Sequence, residues 1–323
     1  MRLVVLSADP AATSALHGVE ARPRSPRAVW GALAGARLFI SGGGSLVQDV
    51  TSTRSALYYL GTLFAASWRG VPVAVVGQGI GPLRRPWVRR LARRAFDRAR
   101  IISVRDADSA RMLTELGVAR PIHRGADLAL LVPPAPPDRV RTLLARAGLD
   151  AAGARIGVAL RPWPGLLDPR SLGEAVRRVA AAYEAAVAIL VFDRIRDLSI
   201  SQAVAASCGG RLVDAASPQD LLGVVGAMDV LLGVRLHALI FAAAQGTPAV
   251  GLAYDPKVSA FMSEIGLPGL LPVDASVEAV EGALARAWDQ RVDLRVRLRA
   301  AAPALRRAAA SGVRAAVEVL AAG

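Results

Sequence analysis

Short apolar runs alternate with longer segments of helical periodicity along the first 132 residues of the chain. The runs read "RLVVLS", "ARLFISGGG", "VPVAVVGQG", "RIISVRD" and "DLALLVPP", and each of them predicts a buried strand. The segments between these runs have the length and spacing of helices. This alternation is typical of a parallel sheet that is covered by helices on both faces.

The same alternation begins again after a proline-rich break, "VPPAPPDRV". Its apolar runs read "RIGVALRP", "AAVAILVFD", "GRLVDAA", "DVLLGVR" and "PAVGLAY". We therefore predict an α/β fold of two doubly wound, Rossmann-like domains that face a cleft. The predicted ranges are 1–135 for the first domain, 136–150 for a proline-rich linker, 151–300 for the second domain and 301–323 for a C-terminal helix.

Composition narrows the class of protein. Hydrophobic residues make up 53% of the 323 residues and charged residues 20%, which is far too apolar for a disordered chain. No uncharged apolar run reaches the roughly 18 residues that a membrane span needs, and the N-terminus lacks the pattern of a signal peptide. We expect a cytoplasmic protein. Because Cys208 is the only cysteine and the three histidines are scattered, we expect neither a metal nor a cofactor.

The chain is strongly basic, with a formal net charge of +14. Its densest basic segment is "RRPWVRRLARRAFDRAR" (84–100), which predicts an amphipathic helix with Leu91, Ala95 and Phe96 facing inward. The arginines of this helix form either a solvated face or an anion site. No nucleic-acid-binding module is recognisable, so we expect no nucleic acid partner but a peripheral contact with anionic lipid at the inner face of the membrane.

Two glycine-rich strand ends stand out in the first domain. In "LFISGGGSLVQDV" the backbone of Gly42, Gly43 and Gly44 can hold an anion or a sugar hydroxyl, although a tight turn alone would also need glycine. We expect Ser45 to begin a helix or turn, and the polar Gln48 and Asp49 strengthen the binding interpretation.

The next two strand ends of this domain carry similar features. "GQGIGPL" repeats the glycine-rich pattern with Gln78 between two glycines. "SVRDADS" contributes Arg105 and Asp106, which form either a structural salt bridge or a ligand contact.

Candidate cleft residues also follow the strands of the second domain. Arg161 ends "ALRPW", where its planar guanidinium suits a carboxylate or phosphate but would also fit an exposed loop. Asp193 is a base, a metal ligand or a helix cap. In "GVRLHALIFAAAQG", a lone His237 beside an apolar helix is more often a core residue than a catalyst. Arg235 favours an anion site instead, because arginine is rarely buried without a partner.

Taken together, these motifs resemble those of CsaB-type polysaccharide pyruvyl transferases. The resemblance rests on "GGGSLVQDVTSTRSALYYLG", "GQGIGPL", "SVRDADS", "GVALRPW" and "GVRLHALIFAAAQGTPAVGLAYDPKV", and it extends over residues 3 to 270. It implies a two-domain fold similar to that of GT-B glycosyltransferases. It also implies transfer of the enolpyruvyl carbons of phosphoenolpyruvate to a sugar as a ketal. In the CsaB group that sugar is N-acetylmannosamine of a lipid-linked cell-wall polysaccharide, and the ketal anchors S-layer proteins.

The resemblance also implies roles for individual residues. Arg161, Arg235 and His237 would bind phosphoenolpyruvate, and the glycine turn with Gln48 and Asp49 would face the acceptor, together with Ser45 and Gln78. Further cleft candidates are Arg105, Asp255 and Lys257.

The chemistry of the implied reaction explains these residue types. Phosphoenolpyruvate carries a carboxylate and a phosphate, so a site needs fixed cations such as Arg161 and Arg235. Protonation of the methylene carbon needs an acid, which is the role we assign to His237, with stabilisation of the departing phosphate as the alternative. Asp193 or Asp49 would assist as a base.

One feature departs from the family pattern. Members of the family usually begin with a strand and a turn of the type G-Y-x-G-x-G-N-x-G-D-E, which has no counterpart in this sequence. Either the sequence starts after the first βα unit, or the protein has lost that unit, and in the second case acceptor binding by this chain is in question. A nucleotide-sugar glycosyltransferase of GT-B type and a non-catalytic glycan-binding homologue are the alternative functions.

Overall fold

A computed structural model describes residues 2–50, 52–149 and 153–322. The chain divides into two compact units, Met1–Leu128 with Arg307–Gly323 and Ala129–Arg306. The domain boundary predicted between residues 150 and 151 lies outside the described residues. Every helix in the described ranges is too short or too polar to cross a bilayer.

The first unit holds two parallel sheets. Strands β1 and β2 pair with each other, and the larger sheet has the order β3-β5-β6-β7, with β4 also paired to β5. The strands are β1 Val4–Ser7, β2 Glu20–Pro23, β3 Phe39–Ser41, β4 Gly44–Val47, β5 Val73–Ile80, β6 Ile101–Val104 and β7 Ile122–Arg124. The helices between them are α1 Pro10–His17, α2 Pro26–Ala32, α3 Thr53–Trp68, α4 Pro86–Phe96 and α5 Ala107–Glu115.

The second unit is built on one six-stranded parallel sheet with the order β10-β9-β8-β11-β12-β13. Its strands are β8 Arg155–Ala159, β9 Ala186–Leu190, β10 Arg211–Val213, β11 Val230–Gly233, β12 Ala249–Ala253 and β13 Gly269–Pro272. Its helices are α6 Pro137–Arg146, α7 Pro169–Ala182, α8 Arg194–Cys208, α9 Pro218–Gly226, α10 Leu236–Gln245, α11 Pro256–Glu264 and α12 Val277–Asp289. The last helix, α13 Arg291–Ala322, contributes its C-terminal part to the first unit.

The predicted α/β class with parallel sheets is confirmed in both units. In the central strands β5 and β8 every residue is buried, as expected for strands that are covered on both faces. Helix α4 buries Val88, Ala92, Ala95 and Phe96 and turns its arginines outward, which confirms the predicted amphipathic helix.

Two local predictions are wrong. The run "DLALLVPP" forms a short 3-10 helix over Leu128–Leu131 instead of a strand, because an apolar run this short does not distinguish strand from helix. The predicted linker contains α6, which buries Val140, Leu143 and Leu144. Its prolines lie before the helix and at its first turn, where the missing N–H removes no hydrogen bond.

Candidate functional site

The residues predicted to bind or act on phosphoenolpyruvate, the donor substrate, lie at one edge of the sheet in the second unit, which we call the donor edge. Because all six strands are parallel, the chain leaves each strand at the same edge. Four adjacent strands deliver candidate residues there: Asp193 follows β9, Arg161 follows β8, Arg235 follows β11, and Tyr254 and Asp255 follow β12.

Arg161 is held by aromatic rings. Its guanidinium carbon lies 4.9 Å from the ring centre of Tyr254 and 5.1 Å from that of Trp163, and its Nη1 donates a hydrogen bond of 3.1 Å to the Tyr254 hydroxyl. The two rings contact each other at 4.7 Å. Among the described residues no carboxylate forms an ion pair with Arg161. A half-buried cation fixed in this way keeps donors for an anionic ligand.

Lys257 shares the same tyrosine ring. Its Nζ lies 5.4 Å from the ring centre of Tyr254 and 3.0 Å from Oδ2 of Asp255. Asp255 also caps α11 by accepting a hydrogen bond from the backbone N–H of Lys257. Tyr254 thus joins two cations, Arg161 and Lys257, at this edge of the sheet.

Arg235 is committed to a buried ion pair. Its Nε and Nη2 donate hydrogen bonds of 2.7 and 2.5 Å to the two carboxylate oxygens of Asp197, whose side chain is fully buried. Nη2 also lies 3.5 Å from Oδ2 of Asp193. The arginine was predicted to contact the ligand, but the geometry makes it the anchor of the first turn of α10. Of the Arg235 guanidinium, only the part that Asp197 does not contact can therefore take the predicted role of binding an anion.

Asp193 makes the contacts of a helix cap, one of its three predicted roles. Its Oδ1 accepts hydrogen bonds of 3.1 Å from the backbone N–H groups of Ile195 and Arg196 at the start of α8. Its own N–H donates to Asp197 Oδ2 at 3.1 Å. Asp193 and Asp197 lie one helical turn apart, so both carboxylates face Arg235. A catalytic role for Asp193 stays a prediction.

His237 is exposed, so the alternative of a core histidine is wrong. It is the second residue of α10, a helix that begins at Arg235 without a side-chain cap. The residues that follow, Ala238 to Ala244, are all buried, because β11 and β12 cover this apolar helix. The buried helix thus holds an exposed imidazole at its N-terminus, an end that favours negative charge.

The glycine-rich turn of the first unit differs from its prediction. Gly42 and Gly43 connect β3 to the short strand β4, which contains Ser45, so Ser45 does not begin a helix. Gly44 has φ +88°, a conformation that favours glycine, and it pairs in register with Gln78 of β5. The helix begins later, at α3, with Ser52 as its cap.

Arg105 is the centre of a buried polar network in the first unit. It donates hydrogen bonds to Asp106 at 3.0 Å, to Asp127 at 3.2 Å and to the Ser45 hydroxyl at 2.8 Å. The predicted alternative of a structural salt bridge with Asp106 is thus present. Gln78 on the adjacent strand is fully buried, and neither its side-chain oxygen nor its nitrogen has a hydrogen-bond partner among the described residues.

Asp49 braces a loop. It is buried, and its carboxylate accepts hydrogen bonds of 2.7 and 2.8 Å from the backbone N–H groups of Arg84 and Arg85. Its oxygens are therefore occupied by backbone, which argues against the predicted role as a base. The neighbouring Gln48 accepts a hydrogen bond of 2.9 Å from the N–H of Val50.

Sequence reasoning missed three residues at the donor edge: Asp197, Trp163 and Tyr254. Asp197 had a signal, because "DRIRD" places two carboxylates at helical spacing directly after a strand. Trp163 and Tyr254 follow strands β8 and β12, but their contact with each other depends on β11 lying between those strands. That strand order is not readable from spacing.

Comparisons with known proteins agree with this architecture. The chain is 24% identical over 253 residues to the amylovoran biosynthesis protein AmsJ of Erwinia amylovora, a match that covers 70% of this chain and 59% of AmsJ. It therefore spans about three-fifths of the length of that relative.

Solved structures show the GT-B-like fold. UDP-GlcNAc 2-epimerase from Neisseria meningitidis, bound to UDP-GlcNAc, superposes with a TM-score of 0.65 at 13% identity and covers 100% of this chain and 92% of its own. HepE from Anabaena in complex with UDP gives 0.62 at 15% identity, with coverages of 99% and 91%. The sequence profile of the polysaccharide pyruvyl transferase family matches residues 3–256. This chain belongs to the polysaccharide pyruvyl transferase family.

Proposed function

We propose that the protein transfers the enolpyruvyl carbons of phosphoenolpyruvate to a sugar of a polysaccharide, forms a pyruvate ketal and releases phosphate. The family membership supports ketal formation on a polysaccharide. The observation that carries phosphoenolpyruvate as the donor is Arg161, a cation held by two aromatic rings with no carboxylate partner among the described residues.

The donor carries two anionic groups, and the edge of the sheet offers cations for both. In this proposal Arg161 binds one group through its planar guanidinium. Lys257, whose Nζ lies 5.4 Å from the ring centre of the same Tyr254, binds the second. The N-terminus of α10 adds a favourable dipole for the phosphate.

The reaction begins with a proton transfer to the methylene carbon, which becomes a methyl group. His237 supplies this proton, and the adjacent carbon becomes an oxocarbenium centre that a sugar hydroxyl attacks. Loss of phosphate creates a second electrophilic centre, and a neighbouring hydroxyl closes the ketal. Of the two hydroxyl protons, one returns to His237 and the other leaves with phosphate, so the proton balance is complete.

The acceptor belongs to the first unit in this proposal. The glycine turn at Gly42 to Gly44 offers backbone hydrogen-bonding groups for sugar hydroxyls, and the fully buried Gln78 pairs in register with Gly44 of this turn. We propose a lipid-linked cell-wall polysaccharide with N-acetylmannosamine as the acceptor, so that the ketal supports S-layer anchoring. The protein would need no cofactor.

The test is release of inorganic phosphate by the purified chain with phosphoenolpyruvate and a lipid-linked N-acetylmannosamine acceptor. We expect acceptor-dependent release that His237→Gln lowers by roughly 100-fold or more. Cleavage of a UDP-sugar with no use of phosphoenolpyruvate would identify a glycosyltransferase. Glycan binding without turnover of either donor would identify a non-catalytic homologue.

A further inference from the structure

Helix α4 and the residues next to it carry a concentration of positive charge that carboxylates of the described residues neutralise only in part. Residues 84–100 contain eight arginines and one acidic residue, Asp97. All of these arginines except Arg89 are exposed. The ion pairs of this segment join Arg93 to Asp97 at 3.7 Å and Arg85 to Asp49 at 4.0 Å, both long. Arg90 and Arg94 have no carboxylate partner among the described residues.

Helix α7, by comparison, carries acidic partners for two of its arginines. On α7, Arg170 and Arg178 pair with Glu174, and Arg178 also pairs with Glu281 at 3.0 Å. On α4, by contrast, Arg90 and Arg94 are one helical turn apart and repel each other. No acidic residue occupies the first turn of α4, where it would favour the helix dipole. Because this arrangement of like charges does not stabilise the helix, we infer that it binds an anionic partner outside the chain.

Tryptophans border the charged row at both ends. Trp87 is 48% exposed, and helical spacing puts it on the same outward face as Arg90 and Arg94. At the other end, the Arg98 guanidinium carbon lies 5.2 Å from the ring centre of Phe64 on α3. Phe64 stacks on Trp68 at 5.8 Å, and Trp68 is 71% exposed.

We propose that this Trp-Arg face, defined by Trp87, Arg90, Arg94, Arg98 and Trp68, binds the surface of an anionic lipid bilayer. Arginines attract the lipid phosphates, and indole rings favour the depth of the headgroups. The apolar face of α4 is packed in the core, so its exposed basic face meets a partner at the surface, which suits a flat anionic bilayer, whereas single-stranded nucleic acid is bound in a charged groove. The proposal goes beyond the proposed reaction and does not depend on it.

The test is co-sedimentation of the full chain with vesicles of phosphatidylcholine, with or without phosphatidylglycerol, at low salt. We expect binding only to the anionic vesicles. Each arginine near an anionic surface contributes about 1 kcal/mol, so R90Q/R94Q is expected to weaken binding by about 30-fold. The control R141Q/R177Q removes the same charge from two exposed arginines of the second unit and should change binding less than about twofold.

Three results would overturn the proposal. One is that the chain does not bind anionic vesicles, and another is that both double variants lose binding equally, which would show a general charge effect. The third is that RNA binds through Arg90 and Arg94 more tightly than the vesicles do. Because neither phosphoenolpyruvate nor glycan is present, the outcome is separate from that of the phosphate-release assay. Circular dichroism of each variant establishes that it is folded.

Discussion

Arg161 owes its position to aromatic rings, and this makes its binding role testable at the scale of one residue. Arg161→Gln removes the charge but retains a polar side chain. Loss of charged hydrogen bonds of about 1.5–3 kcal/mol should raise KM for phosphoenolpyruvate by roughly 10- to 150-fold. The control is Arg170→Gln, an exposed arginine of α7. An unchanged KM in Arg161→Gln would remove Arg161 from the donor site.

Asp197 is a positioning residue in this account, because it acts through Arg235. Asp197→Asn leaves the Arg235 guanidinium without its buried counter-charge and should lower the free energy of unfolding by about 3–5 kcal/mol. The double variant D197L/R235M removes both charges and should regain most of that stability.

Kinetics separate a positioning role from a purely structural one. In D197L/R235M the first turn of α10 loses its anchor, so kcat should fall while KM for phosphoenolpyruvate changes little. A stable double variant with wild-type kcat would show that the ion pair serves stability alone.

At the residue scale, the sequence predicted which residues lie at the donor edge. It was a poorer guide to the contacts that each of them makes. Arg161, Asp193, Arg235 and Asp255 follow adjacent parallel strands, and strand ends are readable from apolar runs. The pairing of Arg235 with Asp197 was not readable in this way, because Asp197 lies on another helix and the contact depends on tertiary packing.

At the scale of the element, two glycines differ in whether their backbone conformation and surroundings accept a side chain. Gly77 of β5 has φ +60°, and a Cβ there would meet the Leu128 side chain at 2.6 Å. Gly77→Ala should therefore lower the free energy of unfolding by about 2–4 kcal/mol. Gly61 lies inside α3 with open space around it, so Gly61→Ala should raise stability by about 0.5–1 kcal/mol. Urea unfolding of both variants measures the difference, and equal effects would contradict it.

The pairing of α6 with α9 predicts a pH dependence. Arg139 on α6 donates two hydrogen bonds, of 3.1 and 3.0 Å, to Asp220 on α9, and these hold the pKa of Asp220 below its usual value. A lowered carboxyl pKa gives stability that is present above the unfolded pKa, about 3.9, and is lost as pH falls through the folded value.

Arg139→Gln should therefore lower Tm between about pH 5 and 8, and the difference from wild type should shrink below about pH 4. Arg141→Gln is the control on the same helix, since the acidic partner of Arg141 in the described part of the chain is the exposed Asp138. A difference in Tm that stays constant down to acid pH would show that Arg139 acts through packing and not through Asp220.

The elements that sequence reasoning missed share a physical reason. Strands β2, β4, β7 and β13 are short and partly exposed, so they lack the buried apolar run that identifies a strand. Helix α6 was hidden by prolines that mark its start. By contrast, the fully buried β5 and β8 were readable from sequence alone.

At the scale of the whole molecule, the GT-B-like fold is compatible with the family assignment. The choice of donor substrate depends on a few side chains. The GT-B-like fold is shared with UDP-GlcNAc 2-epimerases at 13% identity, so the fold alone does not select pyruvyl transfer. The family profile over residues 3–256 and the aromatic-held Arg161 together favour phosphoenolpyruvate as the donor.

The most direct measurement follows carbon from the donor to the product. Phosphoenolpyruvate with labelled carbon is incubated with the chain and the lipid-linked N-acetylmannosamine acceptor, and the glycan is isolated and analysed by mass spectrometry. We expect a labelled pyruvate ketal on the glycan with the wild-type chain, and less than about one hundredth of that label with His237→Gln. An unlabelled glycan with the folded wild-type chain, or equal label with His237→Gln, would contradict it.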